Sequence, residues 1–313
     1  MSELNFAQSS GRFDRWMDIS TLRSLTIRNC HNLPSLFQDL TEAMLSISHS
    51  SLRTLVIAQR IDSGLEEKVD EFLDAIGSLE CLYISVLTAE RLDLARLEKH
   101  QSLLCLVVDS LNTWQKDLHL GLRGAHLYKA RDLSVLAKLC PNLKELAITL
   151  PMIDFRNWEY QQPFRWSPAG SRSLTQADLV RVLEAIALFP KLNVLRLTHP
   201  PIVLVEEEDA GFISDGLIRE YQWRHRQLAE QILLFLTDRG SPIQLLAFSP
   251  TVTESLELRD DNGHEWPHYY YLRGASTVTL PGGHKTNEVV AEPVNKHDIS
   301  KYLDSRAILD YCG

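Results

Sequence analysis

The chain has 313 residues, 44% of them hydrophobic and 23% charged, with a formal net charge of −9. That length supplies a sizeable core, and the composition is that of a globular protein. The acidic balance excludes the basic surface on which non-specific binding to nucleic acid or anionic membrane depends.

Residues 1–20 read as an N-terminal cap or extension, without the apolar stretch of a signal peptide. The first recognisable element is a short phrase (apolar, two residues, apolar, one residue, apolar) carried by Leu22, Leu25 and Ile27. LPSLFQDLTEAMLSIS, 33–48, then spaces Leu36, Phe37, Leu40, Met44 and Ile47 along one face of a helix. The phrase returns at Leu52, Leu55 and Ile57, and a second helical stretch follows at 65–76 with Leu65, Val69, Phe72, Leu73 and Ile76. Further copies stand at Leu79/Leu82/Ile84, Leu103/Leu106/Val108 and Leu143/Leu146/Ile148. Thr175 with Asp178 has the form of a capping box ahead of Leu179, Val182, Leu183 and Ile186, and Pro190 stops that helix before Leu192/Leu195/Leu197. Residues 214–239 form the longest predicted helix, with Leu217, Tyr221, Leu228, Ile232 and Phe235 inward, and lead into Ile243/Leu246/Phe248.

Seven copies of one phrase make a repeat protein the leading expectation. The last two apolar residues of each copy lie two apart, so they share one face of a short strand. A strand of this kind buries its apolar face only by stacking on the next copy. The copies start 30, 27 and 24 residues apart, then 40, 49 and 51, which places insertions near 110–130, 150–173 and 199–214. The expected fold is α/β: a leucine-rich-repeat solenoid over 21–250, a curved parallel sheet with helices on its convex side, irregular in its C-terminal half. Residues 251–313 form a C-terminal capping segment. The competing architecture is an ordinary layered α/β domain, which also alternates strands with helices.

Two stretches resemble a known family. LCPNLKELAIT, 139–149, is similar to the cysteine-containing leucine-rich repeat of F-box proteins, where a helix ends in Cys and Pro-Asn-Leu leads into the strand; LTIRNC, 25–30, is similar to the strand and the Cys after it. The tail HYYYLRGASTVTLPGGHKTNEVVAEPVNKHDISKYLDSRAILDY, 268–311, resembles the C-terminal part of filamentous-fungal F-box and leucine-rich-repeat proteins. The resemblance implies a substrate-recognition part of a cullin ubiquitin ligase. The family's adaptor-binding segment opens on Leu-Pro-x-Glu ahead of the repeats. Here Leu33-Pro34 follows a strand phrase and reads as the start of a repeat helix. A Skp-type adaptor is therefore expected only if an F-box is missing from this chain.

Motifs that carry catalysis are matched only in letters. His264-Glu265-Trp266-Pro267-His268 has the spelling of a zinc-protease motif, which needs a helix to aim both histidines at one metal; Pro267 and the Asn262-Gly263 turn forbid it. Gly282-Gly283-His284-Lys285-Thr286 lacks the glycines of a phosphate loop and reads as a hairpin turn. Glu206–Asp209 reads as a solvated loop, and Asp298 as the cap of a short helix over 299–304. Five cysteines, Cys30, Cys81, Cys105, Cys140 and Cys312, are odd in number and without a C-x-x-C pair, which points to reduced thiols. Cys30 and Cys140 read as small buried residues, and Cys81 and Cys105 as strand positions pointing away from the core. No cofactor or metal is expected.

The expected function is a non-enzymatic protein-interaction module, cytoplasmic or nuclear, with no nucleic-acid or membrane partner. The outward strand positions Ser24, Thr26, Arg28, Thr54, Val56, Tyr83, Asp109, Glu145, Thr149, Arg196 and Thr198 would line its concave face. Arg28, Tyr83, Asp109, Glu145 and Arg196 are the candidate contacts there. A second candidate is the aromatic insertion with Phe155, Trp158, Tyr160, Phe164 and Trp166, residue types enriched at interface hot spots. The alternative is an enzyme or accessory protein of a fungal pathway, with a small-molecule pocket among the insertion loops.

Overall fold

A computed structural model describes residues 19–28, 30, 33–47, 50–59, 65–77, 79–86, 92–109, 128–148, 176–198, 215–248, 258–259, 265–266, 270–279, 281, 283, 285–295 and 298–299. The chain divides into two compact units, Met1–Thr149 and Leu150–Gly313. Both are built of strands alternating with helices, an α/β protein in which strand pairs are predominantly parallel. No helix among the described residues is long and apolar enough to cross a membrane.

The first unit opens on a 3-10 turn, Ile19–Thr21, and alternates β1 (Ser24–Arg28), α1 (Leu33–Ser46), β2 (Thr54–Gln59), α2 (Leu65–Ala75) and β3 (Cys81–Val86). A 3-10 segment at Leu94–Lys99, β4 (Cys105–Asp109), α3 (Ala130–Leu139) and β5 (Glu145–Ile148) complete it. The last two apolar residues of each phrase lie on a strand, and the five strands pair in parallel in chain order. The register sets like on like: Leu25, Leu55, Leu82, Leu106 and Leu146 form one row, and Ile27, Ile57, Ile84, Val108 and Ile148 the next. From Leu55 to Leu146 the first of these rows is wholly buried. Successive parallel strands joined by right-handed crossovers leave all the connecting helices on one side. Accordingly α1 packs on α2, α2 on the Leu94–Lys99 segment, and that segment on α3. Phe37 of α1 meets Phe72 of α2 edge-on, with ring centroids 5.3 Å apart.

One hydrogen-bonding unit recurs at the strand starts. The carbonyl of Arg23 accepts from the amides of Arg53 and Thr54 at 2.8 and 3.1 Å. The carbonyl of Arg53 accepts from Glu80 and Cys81 (2.8 and 2.9 Å), that of Glu80 from Leu104 and Cys105 (2.8 and 3.1 Å), and that of Leu104 from Lys144 and Glu145 (2.8 and 3.0 Å). The residue before each strand thus fixes the start of the next.

The third crossover differs from the others because it is the shortest. A phrase spacing of 24 residues leaves room only for the 3-10 segment, which Asp93 caps by accepting the Ala95 amide at 3.0 Å. His100 ends it, completely buried. Its Nδ1 accepts the Leu79 amide at 3.1 Å, so the proton sits on Nε2, which donates to the Leu73 carbonyl at 3.2 Å. The ring therefore joins the end of α2 to the turn before β3. Burial holds its pKa below the ordinary histidine range.

The second unit contains α4 (Gln176–Ala187), β6 (Val194–Leu197), α5 (Asp215–Asp238) and β7 (Leu245–Phe248). After these come a two-residue pair, β8 (Leu258–Arg259) with β9 (Glu265–Trp266), and then β10 (Tyr270–Thr279) and β11 (Lys285–Pro293). Strands β6 and β7 are parallel, and the shared carbonyl recurs: Asn193 accepts from Gln244 and Leu245 at 2.8 and 3.0 Å. Helix α5 packs on α4 and against β10 and β11. It ends in a Schellman turn, with Gly240 at φ +74° and the Ser241 amide reaching back to the Leu236 carbonyl at 2.9 Å. Strand β10 then runs antiparallel to β7, and the Arg273 amide takes the Gln244 carbonyl at 2.8 Å. Strands β10 and β11 form the predicted hairpin, whose turn holds Gly283 at φ +82°. Phe248 stands edge-on to both His225 and Tyr271, at 5.8 and 5.9 Å.

Helices predicted at 33–48, 65–76 and 214–239 are found with every end within two residues of its predicted place. Thr175, and nearly all of the insertions at 110–130, 150–173 and 199–214, lie outside the described residues, as do 300–313.

Two stability tests follow from this packing. The Lys144 side chain is exposed, so Lys144→Ala should leave the unfolding free energy nearly unchanged, whereas Lys144→Pro, which removes one of the two amides on the Leu104 carbonyl, should lower it by about 2–3 kcal/mol in urea titration. His100→Ala leaves the Leu79 amide and Leu73 carbonyl unpaired and should cost about 2–4 kcal/mol. Because the folded state favours neutral His100, the unfolded chain takes up the extra proton below about pH 6.5, so this contribution falls as the pH drops from 7 toward 5. His100→Ala should flatten that part of the stability profile.

Candidate partner-binding face

In the first unit the helices leave one side of the sheet to the first, third and fifth residues of each strand. Three rows cross it in register. Ser24, Thr54, Cys81, Cys105 and Glu145 form the first; Thr26, Val56, Tyr83, Val107 and Ala147 the second; Arg28 and Ala58 begin the third, and Asp109 holds the matching place on β4. Exposure is greatest on β1 and least on β4 and β5, with Val56 of β2 buried as well. Ser24, Thr26 and Arg28 are exposed, Thr54, Cys81 and Tyr83 half-buried, and Cys105, Val107, Glu145 and Ala147 buried.

Four of the positions expected on the outward face are buried. Glu145 retains 2% of its surface, Arg196 in the second unit 4% and Thr198 5%, and Val56 retains none. None of the four lines an open face. Strand alternation gives the direction of a side chain, not what lies over it. Among the predicted contacts whose burial is described, Arg28 and Tyr83 retain accessible surface. Phe155, Trp158, Tyr160, Phe164, Trp166 and Thr149 lie outside the described residues, as do Glu206–Asp209.

The register also assembles a cluster that sequence order conceals. Cys81 and Cys105 are paired ladder positions, and Glu145 is the next position along. Cys105 donates its thiol proton toward the Cys81 sulfur, and that hydrogen bond holds Cys81 below the ordinary thiol range against the opposing effect of burial. Cys105 is pushed well up, first by the same hydrogen bond, then by burial and the nearby Glu145 carboxylate. Cys30 and Cys140 are buried, as expected of small apolar residues; burial pushes the Cys140 thiol up to about 12. Notably, Cys81 and Cys105 each occupy the position just before the second apolar residue of the phrase. Aligning the copies therefore sets them side by side.

The other letter-matches form no site among the described residues. Glu265 and Trp266 are extended and paired with Arg259 and Leu258, whereas the zinc-protease motif needs a helix there. No group of three or more metal-ligating side chains is placed to hold a metal among the described residues. Comparison with protein-family models and with curated proteins finds no match.

Accessibility and acidity together rank the thiols. Iodoacetamide applied to the native protein should label Cys81 at least about tenfold faster than Cys105, Cys140 or Cys30, as read by peptide mass spectrometry; equal rates would contradict the geometry of the row.

Proposed function

We propose that the chain is a leucine-rich-repeat solenoid serving as a non-enzymatic protein-interaction module, cytoplasmic or nuclear, in the substrate-recognition part of a cullin-type ubiquitin ligase. The observation that carries the repeat reading is the shared carbonyl. In each unit, copies of one phrase start their strands with two amides on the carbonyl of the copy before, despite different connecting lengths. Stacking of strand-plus-helix units by a constant local contact is the defining property of such arrays. The ligase role rests on the resemblance of Leu139–Thr149 and of the tail to F-box repeat proteins.

The strand face of the first unit supports partner binding. Arg28 and Tyr83 are accessible there, and both residue types recur at interface hot spots. Glu145 and Arg196, being buried, serve to shape the surface. The partner is a protein, and a Skp-type adaptor joins it where an F-box precedes the repeats.

The test is affinity purification of the tagged chain with mass spectrometry. Recovery of a cullin and a Skp-type adaptor is expected, and their absence removes the ligase role while leaving the binding module. Arg28→Glu with Tyr83→Ala should reduce recovery of the bound substrate protein about fivefold or more without changing the melting temperature. Trp158→Ala with Trp166→Ala should weaken the same binding, also with thermal stability largely intact. Unchanged recovery in both double variants rejects these surfaces as the binding sites.

A further inference from the structure

We infer that Cys81 and Cys105 form a dithiol–disulfide switch, a modification site oxidised by a peroxide and restored by a dithiol reductant. The inference rests on the ladder and does not depend on the ligase reading. Cys81 of β3 and Cys105 of β4 are register partners on the same side of the sheet. Neighbouring strands lie about 4.8 Å apart, within the roughly 4.4–6.8 Å between Cα atoms that a disulfide spans. As register partners, the two side chains leave the sheet side by side on that face. Cys81 is half-buried and open to a small oxidant, while Cys105 is 3% exposed behind it.

The roles divide accordingly. The Cys81 thiolate attacks one oxygen of hydrogen peroxide; the O–O bond breaks, hydroxide leaves and a sulfenic acid forms. The Cys105 sulfur then attacks the Cys81 sulfur, the S–O bond breaks, and the oxygen leaves as water. The Cys105 proton passes to that oxygen, with the Glu145 carboxylate beside Cys105 as a carrier. In sum, two thiols lose two electrons to form one S–S bond, and the peroxide becomes two waters. The other described cysteines are poorly placed for this chemistry. Cys140 is wholly buried, and Cys30 is buried with its thiol donated to the Arg28 carbonyl at 3.3 Å.

The bond would also be reversible. A relaxed disulfide brings Cβ atoms to about 3.8 Å, closer than the roughly 4.8 Å strand spacing. Bridging therefore pinches β3 toward β4, and strained disulfides are the readily reduced ones. The staple would lie two residues from Tyr83, so the oxidation state is transmitted directly to the accessible part of the strand face.

The experiment treats the full chain with a few equivalents of hydrogen peroxide, blocks remaining thiols with N-ethylmaleimide and maps peptides without reduction. Two thiols per chain should be lost together, a Cys81–Cys105 linked peptide should appear, and dithiothreitol should restore both. In Cys105→Ser, Cys81 should stop at a sulfenic acid trapped by dimedone; in Cys81→Ser, Cys105 should be lost at least about tenfold more slowly. Oxidation of Cys81 to sulfinic or sulfonic acid with Cys105 still free would overturn the proposal, as would earlier oxidation of Cys30, Cys140 or Cys312. The wild-type map decides the matter even if a variant fails to fold.

Discussion

The structure depends on a carbonyl that serves two amides. A backbone oxygen has two lone pairs, and at Arg23, Arg53, Glu80, Leu104 and Asn193 both are engaged by consecutive N–H groups of the following copy. The arrangement needs no particular side chain, so it tolerates Arg, Glu, Leu and Asn alike. It fixes where each strand begins and frees the register from the length of the connection. Copies 24, 27, 30 and 40 residues apart align without slippage in the first unit. In a sheet a one-residue slip would turn every leucine away from the core. The shared carbonyl and the leucine row are thus two expressions of one constraint.

What sits opposite the leucines follows from that alignment. Side chains at equal places in the phrase become neighbours across the strands, whatever their separation along the chain. This brings a threonine, two thiols and a carboxylate into one row through Thr54, Cys81, Cys105 and Glu145. The same alignment places Val56, Tyr83, Val107 and Ala147 beside them, so the polar row is bordered by a largely apolar one. The hydrogen bond between the thiols divides them into a more acidic outer member and a less acidic inner one.

Much of the fold was legible because its signals are local. Two-residue alternation marks the strands, 3.6-residue periodicity marks α1, α2 and α5, and the Gly282-Gly283 turn marks the β10–β11 hairpin. What was not legible depends on contacts distant in sequence. The burial of Glu145 and Arg196 is invisible to alternation, which specifies only a side chain's direction. His100 carries no local mark of its role, since its partners Leu73 and Leu79 lie 27 and 21 residues away. The Leu94–Lys99 segment escaped because six residues of 3-10 helix are too few for periodicity to show. The cysteine pair is an intermediate case, present in the sequence once the phrases are aligned copy against copy.

Gln244 holds the place that Arg23, Arg53, Glu80, Leu104 and Asn193 hold before their strands, yet its carbonyl receives the amide of Arg273 from an antiparallel strand. The acceptor that another copy of the phrase would use is therefore occupied by the hairpin. Gene duplication can lengthen an array of this kind after the copies at β1 to β4 and at β6, each of which leaves the same oxygen for its successor. It cannot do so downstream of β7 without first displacing β10. The reversal of one strand direction thus acts as a stop on the copy number, written in backbone atoms and independent of the side chains that evolution is free to change.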